Sequence, residues 1–279
     1  MREHQGLYRC YFSWGVAPPV SLAPKQGTLR GVFSLTDHEP LALARYGHVF
    51  SLLDSTDPTI WDIFRRDGRI ELDPASPHLR LLDLFSLRFV AVPRNEQARF
   101  RAVWGEGSGW LEARSAPTLT HVVFVRANPL PRAYVVFSWK GVTSREEAFS
   151  ALTSADFDPR REAIVEAPKG EHLPGEGGKG PELFPARVAS YRPTAVEVEV
   201  SLEEPGLLVL TDAYYPGWKA RLDGEPAEIL RTNYLFRGVF VPRGDHRVVF
   251  RYEPASFRLG LGLSAAALLA LGALLAGRK

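Results

Sequence analysis

The sequence predicts a mainly β, α+β protein with an N-terminal mixed α/β region, a C-terminal antiparallel β-sandwich and one C-terminal transmembrane helix. Three observations predict it. Short β-branched and aromatic runs are cut by 22 prolines and 24 glycines, the signature of many short strands rather than of a helical bundle. Val196, Val198 and Val200 alternate with Glu197 and Glu199, so one strand face goes to a core and the other to water. Leu259 to Ala276 is a run of 18 residues of Leu, Ala, Gly and Ser without a charge. At ~1.5 Å per residue it spans roughly 27 Å, close to the roughly 30 Å of bilayer hydrocarbon.

Composition narrows the function classes. A chain of 279 residues carries one or two domains with a sizeable core. Lys plus Arg is 34 and Asp plus Glu is 32, a net charge of +2 spread along the chain, so no nucleic acid partner is indicated. The single cysteine, Cys10, closes no internal disulfide, and no Cys or His set has zinc-ligand spacing.

Residues 1–168 read as the mixed region. Leu41 to Leu53 places Leu41, Ala44, Tyr46, His48 and Leu52 at helical spacing, and Ser76-Pro77 offers a cap and a first-turn proline before HLRLLDLFSL. LRFVAV at 87–92, HVVFV at 121–125 and AYVVFSW at 133–139 read as strands bounded by Pro, Asn or Gly. Ser144 with Glu147 has capping-box spacing and opens a helix through Leu152.

KGEHLPGEGGKGP at 169–181 is rich in Gly and Pro and reads as a linker. Residues 182–257 then form the sandwich. LLVLT at 207–211 follows a Pro-Gly turn, and WKARL at 218–222 follows Tyr-Tyr-Pro-Gly. Asp223-Gly224 closes a hairpin into a strand through Ile229, and LFRGVFV at 235–241 turns at Pro242 to Asp245 into HRVVFRYEP. Six strands spaced roughly 8 to 12 residues apart predict a sandwich rather than an open sheet.

Residues 258–279 are the membrane helix, spanning 259–276, with a short basic tail. Arg258 precedes the run and Arg278 and Lys279 follow it, as snorkelling anchors do. The first ten residues, MREHQGLYRC, contain no apolar segment of a secretory signal. Arg243, Arg247, Arg251 and Arg258 before the span, against Arg278 and Lys279 after it, favour a cytoplasmic head by the positive-inside rule. An alternative function therefore stands open: a stand-alone, tail-anchored structural or interaction protein with a cytoplasmic domain.

The stretch TDAYYPGWKARLDGEPAEILRTNYLFRGVFVPRGDHRVVFRYEPASFRLGL, 211–261, resembles the C-terminal end of the YfhO-like bacterial membrane proteins, large polytopic proteins related to GT-C-type glycosyltransferases. Its Tyr-Tyr-Pro-Gly-Trp-Lys run, Asn-Tyr-x-Phe-Arg and closing Phe-x-Tyr-x-Pro carry the resemblance, and LLDLFSLRFVAVP at 81–93 and NPLPRAYVV at 128–136 extend it more weakly. The resemblance implies a soluble region facing out of the cytoplasm, partnership with a polytopic GT-C-type membrane protein, and a part in lipid-linked sugar transfer. Catalytic acids of such enzymes belong to loops between membrane helices that this sequence does not contain. No catalytic residue is carried over, and the chain reads as a non-catalytic, membrane-anchored module.

Tyr214, Tyr215, Trp218 and Tyr234 are the candidate contacts for glycan or lipid headgroup, because aromatic rings stack on sugars and seat at the membrane boundary. The alternative is core packing for Trp218 and one tyrosine. Asp156-Phe157-Asp158 has the D-x-D spacing of a metal-held sugar nucleotide, although Pro159 points to a turn. Asp212, Asp223 and Glu225 are weaker candidates for paired acids. Trp14, Trp61, Trp104, Trp110 and Trp139 read as packing residues. His38, His48, His78, His121 and His246 lack ligand spacing, Gly107-Ser108-Gly109 reads as a loop, and Gly175 to Gly180 lacks the features of a phosphate loop. No cofactor and no metal are predicted.

Overall fold

The computed structural model describes residues 7–12, 33–34, 44–53, 78–104, 109–112, 121–167, 173 and 183–276. Its middle layer is a seven-stranded sheet built on two strands whose residues are almost all apolar, β6 (Ala133–Val136) and β12 (Gly206–Ala213). Both are buried along nearly their whole length, as strands covered on two faces must be. With β7 (Trp139–Val142), β8 (Ala163–Glu166), β9 (Phe184–Pro185), β15 (Leu230–Thr232) and β16 (Phe236–Val241), the order is β7-β8-β15-β16-β12-β6-β9. β7 and β8 run parallel and the remaining pairs are antiparallel.

A five-stranded antiparallel sheet covers one face: β10 (Arg187–Arg192), β11 (Ala195–Leu202), β17 (Gly244–Tyr252), β13 (Trp218–Leu222) and β14 (Glu225–Ala227). The predicted alternation holds, because Val196, Val198 and Val200 are buried while Glu197 and Glu199 face outward. Val198, Leu208, Leu210, Val239, Val248 and Phe250 pack between the two sheets. The other face of the seven-stranded sheet packs on the N-terminal region through Tyr134, Val136, Val209, Phe236, Phe85 and Phe100.

That region holds a mixed sheet, β1 (Arg9–Phe12), β2 (Phe33–Ser34), β3 (Leu87–Pro93), β4 (Trp110–Glu112) and β5 (His121–Arg126), ordered β2-β1-β3-β5-β4 with β1 parallel to β2 and β3. Its helices are α1 (Ala44–Ser51) and α2 (Gln97–Trp104). α3 (Arg145–Thr153) lies between β7 and β8. Ser144 caps α3 by accepting from Glu147 N, and the Glu147 carboxylate reaches back to Thr143 N at 2.8 Å. This is the capping logic read from the sequence, shifted by one residue at its return bond.

Three elements differ from their predicted form. HLRLLDLFSL is a 3-10 helix, Leu79–Phe85, closed by Ser86 in the left-handed conformation, and its expected cap at Ser76-Pro77 lies outside the described residues. AYVVFSW is two strands, since β6 ends at Val136 and β7 starts at Trp139 on the opposite side of the sheet order. The predicted strand into Ile229 is also two: β14 stays at the edge, where Pro226 needs no N–H partner, and the chain then crosses to the other sheet as β15. In consequence the seven-stranded sheet takes strands from both sides of residues 169–181.

α4 (Ala255–Ala276) leaves the sandwich directly after β17. Its described leucines, Leu259, Leu261, Leu263, Leu268 and Leu269, are 62 to 76% exposed. At roughly 100° per residue they lie on all sides of the helix rather than on one stripe. Among the described residues no helix is long and apolar enough to cross a membrane, and the described side chains of α4 end at Leu269.

Candidate functional site

The segment Tyr214-Tyr215-Pro216-Gly217 links β12 to β13 and is stitched to the base of α4. Gly217 has φ +100°, a conformation that glycine adopts without strain, and a Cβ there would stand 3.2 Å from the Pro254 backbone. Its carbonyl accepts from Glu253 N at 2.7 Å. The Tyr252 ring lies 5.4 Å from Trp218 and 6.4 Å from Tyr215. Beside this turn opens a cleft of about 480 Å³, lined by Tyr214, Tyr215 and Trp218 and by the basic residues Lys219, Arg221 and Arg251. The Arg231 guanidinium stacks 4.2 Å over the Tyr214 ring. Three of the four predicted contact residues therefore meet in one cleft at the foot of the sandwich.

Tyr234 does not join them. It is fully buried, in the β15–β16 turn with φ +68° next to Asn233 at +47°. A bulky residue in this region is strained, by about 1–3 kcal/mol, unless its surroundings hold it. Here they do. Arg145 Nε donates to the Tyr234 hydroxyl at 3.0 Å and Nη2 donates to His48 Nδ1 at 2.6 Å, while that same Nδ1 lies 3.0 Å from the hydroxyl. Arg45 stacks 4.5 Å from the ring centroid and pairs with Glu166. Burial, with Arg145 and Arg45, holds His48 below the ordinary histidine range, as suits a ring nitrogen that accepts from arginine. Asn233 accepts from Ile164 N at 2.8 Å and donates to Tyr134 Oη at 3.3 Å.

A second buried group was not legible as a unit in the sequence. Asp212, at the end of β12, receives Arg132 at 2.7 Å, Arg237 at 3.1 Å and Arg9 at 3.4 Å, with the Tyr191 hydroxyl donating at 3.1 Å. All three arginines are nine-tenths or more buried. Burial raises the Asp212 carboxyl, but Arg132, Arg237 and Arg9 outweigh it and hold it below the ordinary aspartate range. Burial, together with Arg132, lowers Arg9 to about 10. Arg9 also donates to the Thr211 and Phe85 carbonyls at 2.6 and 2.7 Å, so the cluster ties the N-terminal sheet to the sandwich. The Arg237 guanidinium stacks 3.8 Å from the Trp218 ring centroid, the ring that also lines the cleft.

The remaining candidates lie outside the cleft. Asp158 accepts from Arg160 N at 2.9 Å and lies 3.6 Å from Arg161, which makes it a turn residue, and Asp156 is exposed beside it. Asp223 closes the β13–β14 hairpin, accepting from Arg247 N and pairing with His246 at 2.6 Å, while Glu225 is exposed on the edge strand. Trp110 is buried beneath Arg126, and Trp139 packs edge-on to Phe240. Trp14, Trp61, His38, Gly107-Ser108 and Gly175 to Gly180 lie outside the described residues, as do the side chains of Trp104 and His121. Among the described residues no group of three His, Cys, Asp or Glu could hold a metal ion.

The cleft, the turn before it and the helix base form one continuous segment of chain, and that segment matches a family model. Residues 184–264 match the family model described as bacterial membrane protein YfhO. The resemblance to the YfhO family is thereby shown for the sandwich from β9 onward, the cleft and the first part of α4, and it supports membrane association. The YfhO-matching segment contains Tyr214, Tyr215, Trp218 and Asp212, whereas Arg9 and Arg132 lie before it. No curated protein matches the chain. Among solved structures, the arabinofuranosyltransferase AftD from Mycobacteria aligns at 19% identity and a TM-score of 0.24, covering 28% of this chain and 6% of that one. The matched part is thus a small fraction of AftD, and the likeness is too slight to bear on fold or function.

Proposed function

We propose that the chain is a membrane-anchored, non-catalytic module that assists sugar transfer in the cell envelope by holding glycan beside the bilayer. α4 lodges in lipid as a single span over 259–276, and the sandwich sits on the outer surface with its aromatic cleft at the interface. The transferase chemistry belongs to a polytopic GT-C-type partner.

The observation that carries this reading is the continuity of the YfhO-matching segment, which runs from the sandwich through the cleft into α4. Two physical points support it. A helix apolar on every side has no stable place in water, and α4 exposes its described leucines all round. Half-buried tyrosine and tryptophan rings next to cationic side chains suit a sugar, whose C–H face stacks while its hydroxyls find donors. Orientation outside the cytoplasm follows from the family resemblance and runs against the flanking basic residues.

The test uses the full chain in detergent. Envelope oligosaccharides are titrated by calorimetry against wild type and Trp218→Ala, with sugar transfer assayed in parallel. Binding that is lost in the variant, without turnover, supports the module. Robust turnover by the chain alone refutes it, and absence of glycan binding removes its positioning role.

A further inference from the structure

Lys219 on β13 stands directly opposite Arg251 on β17 in the antiparallel register. Like charges in facing positions destabilise a strand pair. Arg221 lies on the same face, two residues along β13, and all three side chains are exposed. Glu253 pairs with Lys219 at 3.1 Å, and the Lys219 hydrogen bond, with the Lys219, Arg251 and Arg221 charges, holds its carboxyl below the ordinary glutamate range. Arg221 donates to the Gly224 carbonyl at 2.7 Å, and among the described residues neither Arg221 nor Arg251 has an ion-pair partner within contact distance. Lys219, Arg221 and Arg251 thus set three cations against the single carboxylate of Glu253 in the cleft wall, and two of them have no direct ion pair among the described residues. Tyr252 and Pro254 follow within three residues, and α4 starts at Ala255.

We infer that Arg221 and Arg251 form a seat for the phosphodiester headgroup of an anionic glycerophospholipid, which docks the sandwich on the bilayer. Guanidinium forks match phosphate oxygens in two-point contacts, and a bound phosphate removes the repulsion built into the Lys219–Arg251 pairing. The choice of lipid over free phosphate follows from position. The seat adjoins the first turn of an outwardly apolar helix, where headgroups lie when that helix is in lipid, and Tyr215 and Trp218 border it as interfacial rings do. The inference rests on α4 being a membrane helix. It adds a second occupant to the basic wall of the cleft, distinct from glycan on the aromatic wall.

The experiment titrates the full chain, held in uncharged detergent, with dihexanoyl-phosphatidylglycerol, dihexanoyl-phosphatidylcholine and inorganic phosphate. Wild type is expected to prefer phosphatidylglycerol over phosphatidylcholine on the order of tenfold, about one charge-assisted contact. The Arg221→Gln/Arg251→Gln pair is expected to lose that preference, and Arg251→Lys to keep most of it. Equal binding of the two lipids, or a preference that survives in the double variant, overturns the seat. Inorganic phosphate binding as tightly as phosphatidylglycerol overturns the assignment to lipid. Alkaline carbonate washing of membranes bearing the same chain reads α4 separately. A chain that stays in the membrane without lipid preference loses the seat alone, and one that washes out while preferring phosphatidylglycerol loses the anchor alone.

Discussion

Arg237 donates to Asp212 at 3.1 Å while its guanidinium carbon lies 3.8 Å from the centre of the Trp218 ring. One side chain therefore connects the buried charge cluster to the cleft. Removing the carboxylate leaves Arg9, Arg132 and Arg237 buried without their counter-ion. Asp212→Ala is expected to destabilise the fold by about 3–5 kcal/mol in urea unfolding, as breaking a buried ion pair does. A loss no larger than that of a surface substitution would show that the cluster is not closed.

The same carboxylate gives an acid limb. Its folded-state pKa is held below the ordinary value, so its contribution is complete above roughly pH 4 and fades as pH falls through the folded pKa. Thermal unfolding between pH 5 and 2.5 should be steeper for wild type than for Asp212→Asn, which carries no titrating group there. Parallel curves would contradict this.

His246 on β17 and Asp223 in the β13–β14 hairpin make an opposite, smaller effect. Hydrogen bonding to Asp223 raises His246, and the same bond lowers Asp223. A raised histidine stabilises fully below its unfolded pKa of about 6.5 and loses that contribution as pH rises through the folded value. The melting temperature of wild type should exceed that of His246→Gln near pH 5.5, and the gap should close by about pH 8.5. A gap independent of pH would mean that the pair is not ionised.

Gly238 on β16 has no room for a methyl group, since a Cβ would stand 2.2 Å from Thr232 Oγ1 and 3.2 Å from Leu207. Gly238→Ala is expected to cost about 1–3 kcal/mol through overpacking, measured by denaturant midpoint. Gly224→Ala meets nothing within 4 Å, but it sits at φ +95° and is strained by its backbone alone. An unchanged midpoint for Gly238→Ala would place β15 and β16 further apart.

Much of the β architecture was legible because alternation and turn chemistry act locally. Val196 to Leu202 declares its faces, and Asp223-Gly224 declares its hairpin, with φ of 51° and 95°. What the sequence could not show is which sheet a strand enters. β14 and β15 are separated by two residues yet belong to different sheets, because Leu230 and Thr232 bury into a partner set, β8 and β16, drawn from distant chain. The aromatic cleft was half legible. Tyr214, Tyr215 and Trp218 flank one turn and stay together by chain connectivity, whereas Tyr234 is carried away by a positive-φ turn into the core. The Asp212 cluster was invisible because its arginines come from β1, β16 and the segment before β6, more than a hundred residues apart at the extremes. The one available signal was an aspartate near the end of a strand whose other residues, Thr211 apart, are apolar.

The central claim is that α4 lies in hydrocarbon. A nitroxide at Leu263→Cys in the Cys10→Ser background, with the full chain reconstituted in vesicles, reads it most directly. The account predicts relaxation by oxygen to exceed relaxation by a water-soluble nickel chelate, as at a lipid-facing site. Greater relaxation by the chelate would contradict it.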